Sequence, residues 1–410
     1  MCKKEKSGSV SIKAGPPSTN SYFASYPVFS IGTDGQGLVI TGGGGGGKSY
    51  GVLNYLQAHV VIQDASSRAL TMETIATLDT GPDAAIAIDY LDTQGGVWIC
   101  ALGNHCLLFK FNDDTLAIEP LFKFKSELSG NDLHVTNFVK LHASQGVISI
   151  LTGGEDKVVR LWQVRQESGQ GSKITHVDLV TELADHKAEV VDADWQMTGN
   201  HFLTCGKDGS VKVWQAYNQQ LVCTIQPRSL DKKNETVVSI RSAFFVAQND
   251  VVILCHHPRG PAYLMLYSLA NPTSPVSALA VSKTITPSMA INATRTRVAI
   301  SHAGGEKDIV SVPGMRMVGS MRKHSHEMPP GKTIFVFENL IVSASPDFSL
   351  NFFDPLKRSN ALSSLCMFVL WLVLLLLIVT ACIAVLVPDG QNMVLQQVRQ
   401  IEASIRGQEL

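Results

Sequence analysis

The chain has 410 residues, of which 17% are charged, whereas about 25% is usual for a soluble domain. Its 34 Lys and Arg nearly balance its 35 Asp and Glu, so the sequence lacks the basic excess typical of nucleic-acid-binding proteins. With 45% hydrophobic residues, the chain is also too apolar to be intrinsically disordered.

Six consecutive glycines, Gly42–Gly47, are the first unusual feature of the chain. With Lys48 and Ser49 they match G-x-x-x-x-G-K-[ST], the phosphate-binding loop, which requires a strand before it and a helix after it. The residues that follow, 51–64, alternate like a strand and have no helix start signal, so this chain is not expected to bind a nucleotide. A loop between two strands remains, and its exposed amides and carbonyls suit a monovalent cation or a partner's backbone.

Two later segments repeat one another with identical spacing. Each contains His, Thr, Asp and Trp in the same order: His134, Thr152, Asp156 and Trp162, then His186, Thr204, Asp208 and Trp214. This arrangement resembles the structural tetrad of WD40 repeats and implies that the eight residues are structural. A metal site at either His is not favoured, because no second ligand cluster accompanies it.

A third copy, Ser343, Asp347 and Phe353, has the same offsets, and short alternating strands fill the intervening chain. About 335 residues at roughly 40–50 residues per blade predict an all-β, seven-bladed WD40-type β-propeller over residues 21–356. A pair of β-sandwiches would not explain the two tetrads. Residues 1–20 are then a short arm, Tyr22–Ile31 is the outer strand of the last blade, and the glycines join the second and third strands of blade 1.

The C-terminal region contains 23 residues, 365–387, that carry no charge and of which only Thr380 falls outside the hydrophobic set. A bilayer core about 30 Å thick needs roughly 20 helical residues, so this segment is predicted to be a transmembrane helix. Residues 357–364 are then a juxtamembrane linker and residues 388–410 a short luminal tail. No signal sequence is seen near the N-terminus, so the propeller is expected in the cytosol.

This organisation resembles the WD40 guanine-nucleotide exchange factors of the endoplasmic reticulum (ER) membrane, the prolactin regulatory element-binding protein family. They act on the Sar-type small GTPase of COPII coats. Gly43–Gly46 match the glycine run of the family, Gly51 and Val52 its Gly-Ile step, and Asn54 the Asn that ends its loop, whereas Tyr50 is an insertion. The resemblance implies that the chain promotes GDP release without covalent chemistry, and thereby initiates COPII assembly and ER-to-Golgi transport.

The resemblance also implies roles for single residues. Asn54 is expected to be essential for exchange and to engage the GTPase near its switch regions. The loop that contacts the GTPase is expected to comprise Gly42, Gly43, Gly44, Gly45, Gly46, Gly47, Lys48, Ser49, Tyr50, Gly51 and Val52. A potassium ion held by carbonyls of Gly42–Gly51 is expected to organise it.

The partners expected from the resemblance are the Sar-type GTPase, the ER membrane and other COPII assembly factors, and no nucleic acid. Two alternatives stay open. One is a membrane-anchored WD40 scaffold that binds partners without accelerating GDP release. The other is a nuclear regulatory role, against which the neutral charge, the absence of a basic face and the uninterrupted apolar segment all count.

Overall fold

The structure, a computed structural model, describes residues 21–47, 51–63, 70–93, 96–167, 173–230, 238–257, 260–355, 370–379 and 395–400. The chain divides into two units, Met1–Pro355 and Leu356–Leu410. In the described part of the first unit, 28 strands form seven sheets of four strands each. The predicted all-β, seven-bladed propeller is confirmed.

Blades 1 to 4 each consist of four consecutive antiparallel strands. From the centre of the ring outward, they are β2 (Val28–Thr33), β3 (Leu38–Gly43), β4 (Tyr55–Gln63) and β5 (Leu70–Asp79); β6 (Ala85–Leu91), β7 (Val97–Leu102), β8 (His105–Asn112) and β9 (Ala117–Lys125); β10 (Thr136–Ser144), β11 (Val147–Gly154), β12 (Val159–Gln166) and β13 (Ile174–Leu183); β14 (Val190–Trp195), β15 (His201–Gly206), β16 (Val211–Gln215) and β17 (Leu221–Ile225).

Blades 5 and 6 follow the same plan, and blade 7 takes its outer strand, β1, from the N-terminal end of the described chain. Their strands are β18 (Ser239–Phe245), β19 (Asp250–His256), β20 (Ala262–Ser268) and β21 (Ser277–Ser282); β22 (Ser288–Ile291), β23 (Arg297–Ser301), β24 (Lys307–Ser311) and β25 (Arg316–Met321); β26 (Lys332–Phe335), β27 (Ile341–Ala344), β28 (Ser349–Phe353) and β1 (Ser21–Phe23).

The ring closes where β1 pairs with β28, with Tyr22 opposite Leu350. The predicted closing strand Tyr22–Ile31 is therefore only partly right. The chain turns at residues 24–27, and Val28–Thr33 continues as the innermost strand of blade 1. Pro27 has no N–H to donate to a ladder, which is consistent with the break in the strand at this point.

The hydrophobic core lies between neighbouring blades. In β15, Phe202 packs in the cluster shared with blade 3, whereas Leu203 and Cys205 pack in the cluster shared with blade 5. Successive side chains of a strand point to opposite faces, and here both faces are covered. This explains why the inner strands read as continuous apolar runs.

The first strands of the blades surround a central cavity of about 230 Å³. Lys140, Asp89 and Asp192 are among the residues that line it. Asp194, also in this lining, pairs with Arg295 at 2.6 Å from Nη1 to Oδ2. The cavity lining thus carries charged groups of both signs.

In the second unit, residues 370–379 and 395–400 are helical, and all ten side chains of the first helix are apolar and exposed. No helix in the described part of the chain is long and apolar enough to cross a membrane. The predicted transmembrane segment 365–387 extends beyond residues 370–379 on both sides, and those flanking residues lie outside the described chain.

Candidate protein-binding loop of blade 1

The glycine run lies, as predicted, between the second and third strands of blade 1. This connection comprises the eleven residues 44–54, whereas the equivalent connections of blades 3 and 4 have four residues each, 155–158 and 207–210. Lys48, Ser49 and Tyr50 lie outside the described residues. The loop leads into strand β4 and not into a helix, which confirms that it is not a phosphate-binding loop of the strand–loop–helix type.

Gly42 and Gly43 belong to strand β3 and are required by the propeller itself. A Cβ on Gly43 would lie 2.0 Å from the carbonyl oxygen of Pro27, and a Cβ on Gly154 of blade 3 would lie 2.0 Å from that of Val135. The same close backbone approach therefore recurs in a blade that has no long loop. The part of the glycine run that is special to blade 1 begins at Gly44.

The next glycines adopt conformations that other residues rarely reach. Gly44, Gly46 and Gly47 have φ values of 148°, 92° and 85°, in the region where a Cβ is unfavourable. A Cβ on Gly44 would also lie 2.1 Å from Asn54 Oδ1, and one on Gly45 would lie 2.6 Å from Val52 Cβ. The two arms of the loop, residues 44–47 and 51–54, are thus in direct contact.

Backbone hydrogen bonds hold the two arms in this arrangement. The Gly44 N–H donates to the Pro27 carbonyl and the Gly47 N–H to the Val52 carbonyl, each at 3.0 Å. Gly47 and Val52 also form an isolated β-bridge. The exposed residues of the described part of the loop are Gly46 and Gly51, so the surface offered to a partner is largely backbone.

Asn54 ties the loop to its surroundings and is fully buried, with 0% exposure. Its Oδ1 accepts from the Gly46 N–H at 3.3 Å, and its Nδ2 donates to the Gly81 carbonyl at 2.9 Å. Its own carbonyl accepts from the Thr80 N–H at 3.0 Å. In this conformation the side chain presents no surface to a partner and instead shapes the loop.

The chemistry of the loop fits the expected cation. Within the described chain, the carbonyl oxygens of Gly44, Gly45 and Gly46 accept no hydrogen bond. Neutral carbonyl oxygens are the ligands that potassium prefers. The described residues contain no cluster of three or more His, Cys, Asp or Glu side chains that would suit a transition metal.

Beneath the loop, blade 1 contains a buried polar network that was not predicted from the sequence. Thr41 Oγ1 lies 2.6 Å from the Tyr26 hydroxyl and 2.8 Å from His59 Nε2. Thr41-Gly42-Gly43 repeats Thr152-Gly153-Gly154, and that shared tripeptide was the available signal. Burial lowers the pKa of His59 to about 4, so its ring is neutral near pH 7.

In blade 4 the structure brings all four residues of the predicted tetrad together. His186 Nδ1 lies 3.0 Å from Asp208 Oδ2, and its Nε2 lies 2.9 Å from Thr204 Oγ1. Trp214 Nε1 donates to the same Thr204 hydroxyl at 3.0 Å. Asp208 also accepts from the Lys187 and Ser210 N–H groups, which fixes the four-residue turn.

In blade 3 the predicted tetrad is only partly formed. Trp162 Nε1 donates to Thr152 Oγ1 at 2.9 Å, but Asp156 pairs with the buried Arg160 at 2.5 Å. The role predicted for His134 is wrong, because its Nδ1 contacts Ser129 Oγ at 3.1 Å. His134 lies two residues before its strand, whereas the tetrad His of blade 4 lies four residues before the strand that follows it.

Blade 7 contains a further network whose His was not predicted. His326 Nε2 lies 2.7 Å from Ser343 Oγ, and its Nδ1 lies 3.7 Å from Asp347 Oδ1. His326 precedes Phe353 by 27 residues, one fewer than the spacing in the two tetrads, so a search that allowed one deletion would have found it.

Residues 177–215 match the sequence model of the WD40 family, described as WD domain, G-beta repeat. The matched range covers the end of blade 3 and most of blade 4, including His186, Thr204 and Asp208. The chain therefore contains a WD40 repeat within its seven-bladed propeller. No curated protein sequence matches the chain.

Solved structures are similar to the chain in fold. The WD40 β-propeller domain of Doa1 is 13% identical, with a TM-score of 0.59, covering 83% of this chain and 97% of that one. A chain of the COPII outer coat vertex on membranes is 15% identical, with a TM-score of 0.61, covering 80% of this chain and 84% of that one. A chain of the COPII coat assembled on membranes gives the same identity and TM-score and is covered to 46%. Since 1532 solved chains match, this likeness defines the fold and not a function.

Proposed function

We propose that the chain is a guanine-nucleotide exchange factor that promotes GDP release from a Sar-type small GTPase at the ER membrane, and so initiates COPII coat assembly. The observation that carries the proposal is the eleven-residue loop of blade 1, which offers exposed backbone at Gly46 and Gly51 while Asn54 holds it from within. The loop matches the glycine run and terminal Asn of the resembled family. Two solved structures that contain chains of similar fold are of COPII coats on membranes.

The reaction requires no covalent chemistry from this chain. A factor that binds the nucleotide-free GTPase more tightly than the GDP-bound form lowers the affinity for GDP by the same factor, because the two binding equilibria are linked. A rigid, preshaped loop loses little conformational entropy on binding, so more of its interaction energy appears as affinity. The role of Asn54 in this proposal is to keep the loop in that shape.

Potassium would be held by the carbonyls of Gly44, Gly45 and Gly46, which accept no hydrogen bond from the described residues, with Asn54 Oδ1 beside them. The ion would fix the direction of those carbonyls, and the chain's own contribution would be the glycines that allow the arms to approach. The proposal also includes a membrane anchor at residues 365–387, a cytosolic propeller and a luminal tail. Anchoring would place GTPase activation on the membrane where the coat forms.

The full-length protein in ER-like liposomes, with the purified GTPase and a fluorescent GDP analogue, tests the activity directly. Wild-type protein is expected to accelerate GDP release, and Asn54→Ala to lose most of that acceleration. The substitution leaves the Gly46 N–H and the Gly81 carbonyl without their partner, at a cost of about 1–3 kcal/mol. That corresponds to roughly a 5-fold to 150-fold loss in the population of the competent loop.

Asn292→Ala is the matched control. Asn292 is 1% exposed and accepts from the Thr296 and Arg297 N–H groups in a turn of blade 6. It should destabilise the protein without changing the exchange rate of the folded fraction. Equal losses in the two variants would contradict a specific role for Asn54.

The scaffold alternative makes a different prediction in the same assay. A scaffold would bind the GTPase, for example in a flotation experiment, without accelerating GDP release from it. Replacing potassium with lithium should slow exchange if the loop binds the ion, and equal rates in both salts would remove the cation from the proposal.

A further inference from the structure

A continuous chain of side-chain hydrogen bonds crosses blade 1 beneath the loop. It begins at the Tyr26 hydroxyl, which contacts Thr41 Oγ1 at 2.6 Å, and continues from Thr41 to His59 Nε2 at 2.8 Å. His59 Nδ1 then contacts Thr74 Oγ1 at 3.0 Å, and Thr74 contacts the Tyr22 hydroxyl at 2.6 Å. Tyr26, Thr41 and His59 are each 0% exposed.

The chain of hydrogen bonds can be satisfied completely when His59 is neutral. A neutral imidazole has one donor and one acceptor, and each hydroxyl donates once. In one arrangement the protons all point the same way, from Tyr22 to Thr74, His59, Thr41 and Tyr26 in turn. The last proton, on Tyr26, then reaches the Thr41 carbonyl at 3.3 Å. A fully satisfied buried network of this kind is rigid.

One end of this chain lies at the base of the loop. Thr41 directly precedes Gly42 and Gly43 in β3, and Tyr26 directly precedes Pro27. The Pro27 carbonyl accepts from the Gly44 N–H at 3.0 Å. Because a Cβ on Gly43 would come within 2.0 Å of the same carbonyl, the two backbones leave no room to slide. Moving Tyr26 or Thr41 must therefore move the start of the loop.

The other end lies in the strand that closes the ring. Tyr22 is in β1, which belongs to the sheet of blade 7, and it pairs with Leu350 of β28. The tetrad of blade 4 makes no such connection, because it ends at Asp208 in its own turn. In blade 4 the turn reaches the neighbouring sheet by a route outside its tetrad, from Lys207 to Glu189 and on to Asn137 of β10.

We propose that Tyr26, Thr41, His59, Thr74 and Tyr22 are positioning residues that set the conformation of the glycine-rich loop and couple it to closure of the ring by β1. This inference rests on the proposed function only in treating the loop as the partner-binding site. The coupling itself is a property of the free protein.

Amide hydrogen exchange of the full-length protein in detergent tests the inference without any GTPase. In Tyr26→Phe, the Gly44, Gly46 and Gly47 amides are expected to exchange about tenfold faster, while amides of β15 and β16 keep their rates. Tyr22→Phe, at the far end of the chain, should accelerate the same amides by a smaller factor.

Tyr267→Phe is the matched control, because Tyr267 is 2% exposed and its hydroxyl contacts only the Met265 sulfur, at 3.8 Å, among the described residues. It should leave the loop amides unchanged. Acceleration spread evenly over loop and blade 4 in Tyr26→Phe would mean simple loss of stability and would overturn the inference. An effect of Tyr26→Phe without any effect of Tyr22→Phe would overturn the coupling to ring closure.

Failure of the proposed function is separable from failure of this inference. If wild-type protein does not accelerate GDP release but the loop amides respond as described, the exchange activity is wrong and the positioning network stands. If exchange activity is present and the loop amides do not respond, the positioning network is wrong.

Discussion

Blades 1 and 4 share one scaffold and differ in how they end their second strand. Thr204 in blade 4 and Thr41 in blade 1 occupy equivalent positions, each two residues before a strand-ending glycine. In blade 4, Trp214 and His186 bond to the Thr. In blade 1 the place of Trp is taken by His59, and Tyr26 supplies the hydroxyl that replaces the His nitrogen.

The difference shows what a long loop requires in this fold. Asp208 joins the His of blade 4 to a four-residue turn, so the turn and the network stabilise each other. Blade 1 has no Asp at this point, and its loop is anchored instead to residues outside it, through the bond of Gly44 to Pro27 and that of Asn54 to Gly81. Without this Asp the connection can be longer, provided that residues of neighbouring elements bond to it instead.

The largest expected effect comes from Gly43 and Gly154, which end the second strands of blades 1 and 3. Gly43→Ala should destabilise the protein by about 3 kcal/mol or more, because the new Cβ would clash with the backbone of residue 27. Gly154→Ala in blade 3 should cost a similar amount in urea unfolding, since its Cβ would meet the equivalent carbonyl. Gly51→Ala, whose Cβ would meet no atom of the described residues within 4 Å, should cost only about 1 kcal/mol through its positive φ. A mild effect of Gly43→Ala would show that Gly43 belongs to the flexible loop.

The second-largest effect is expected from acidification, which should destabilise blade 1 more than blade 4. His59 has a folded pKa of about 4 and an unfolded pKa of about 6.5. The unfolded state therefore binds more protons between these values, and stability falls as the pH drops through 6.5 towards 4. The loss from this one group is about 3 kcal/mol.

Urea unfolding of wild-type and His59→Gln protein at pH 7 and pH 4 measures this term. The variant should show a weaker pH dependence than the wild type. His186→Gln should change it less, because burial lowers the pKa of His186 but Asp208 opposes that shift. Identical pH profiles of His59→Gln and wild type would show that the network of blade 1 tolerates a charged ring.

A reciprocal exchange of the anchoring side chains gives the smallest expected effect. Asn54→Asp keeps the acceptor for the Gly46 N–H but loses the donor to the Gly81 carbonyl, and should cost about 1–2 kcal/mol. Asp208→Asn replaces one of the two carboxylate oxygens that accept from the Lys187 and Ser210 N–H groups with an amide donor, and should also cost about 1–2 kcal/mol. Thermal unfolding measures both variants, and a loss below about 0.5 kcal/mol in either would show that its side chain does not anchor its connection.

The sequence predicted the fold correctly where a spaced set of residues is typical of one structural motif. The spacing of Asp and Trp in blades 3 and 4 identified two repeats, and their regular length predicted the seven blades. Blade 1 was not recognised as a variant of the same network, because its Trp position holds His59. His134 was assigned by its distance from Trp162, but β10 and β11 with their turn are two residues longer than β14 and β15 with theirs, so the same distance places His134 closer to its strand.

The shape of the glycine loop was beyond sequence reasoning for a physical reason. The run of glycines predicts that unusual φ values are accessible, but it does not say which are adopted. That choice depends on Asn54, which bonds at the same time to Gly46 and to Gly81 in the connection leading to the next blade. Asn54 and Gly81 are 27 positions apart in the sequence, and they come into contact only when the propeller has folded.

Closure of the ring by β1 also constrains the order in which the protein folds. Ser21 and Asn351 form a hydrogen bond across 330 residues of sequence. Strand β1, the first strand of the described chain, must therefore wait without its partner until β28 has been made. Domains that depend on such distant pairings fold slowly and expose unpaired strand edges meanwhile. In this chain the waiting strand is only three residues long, which leaves little edge for another molecule to join.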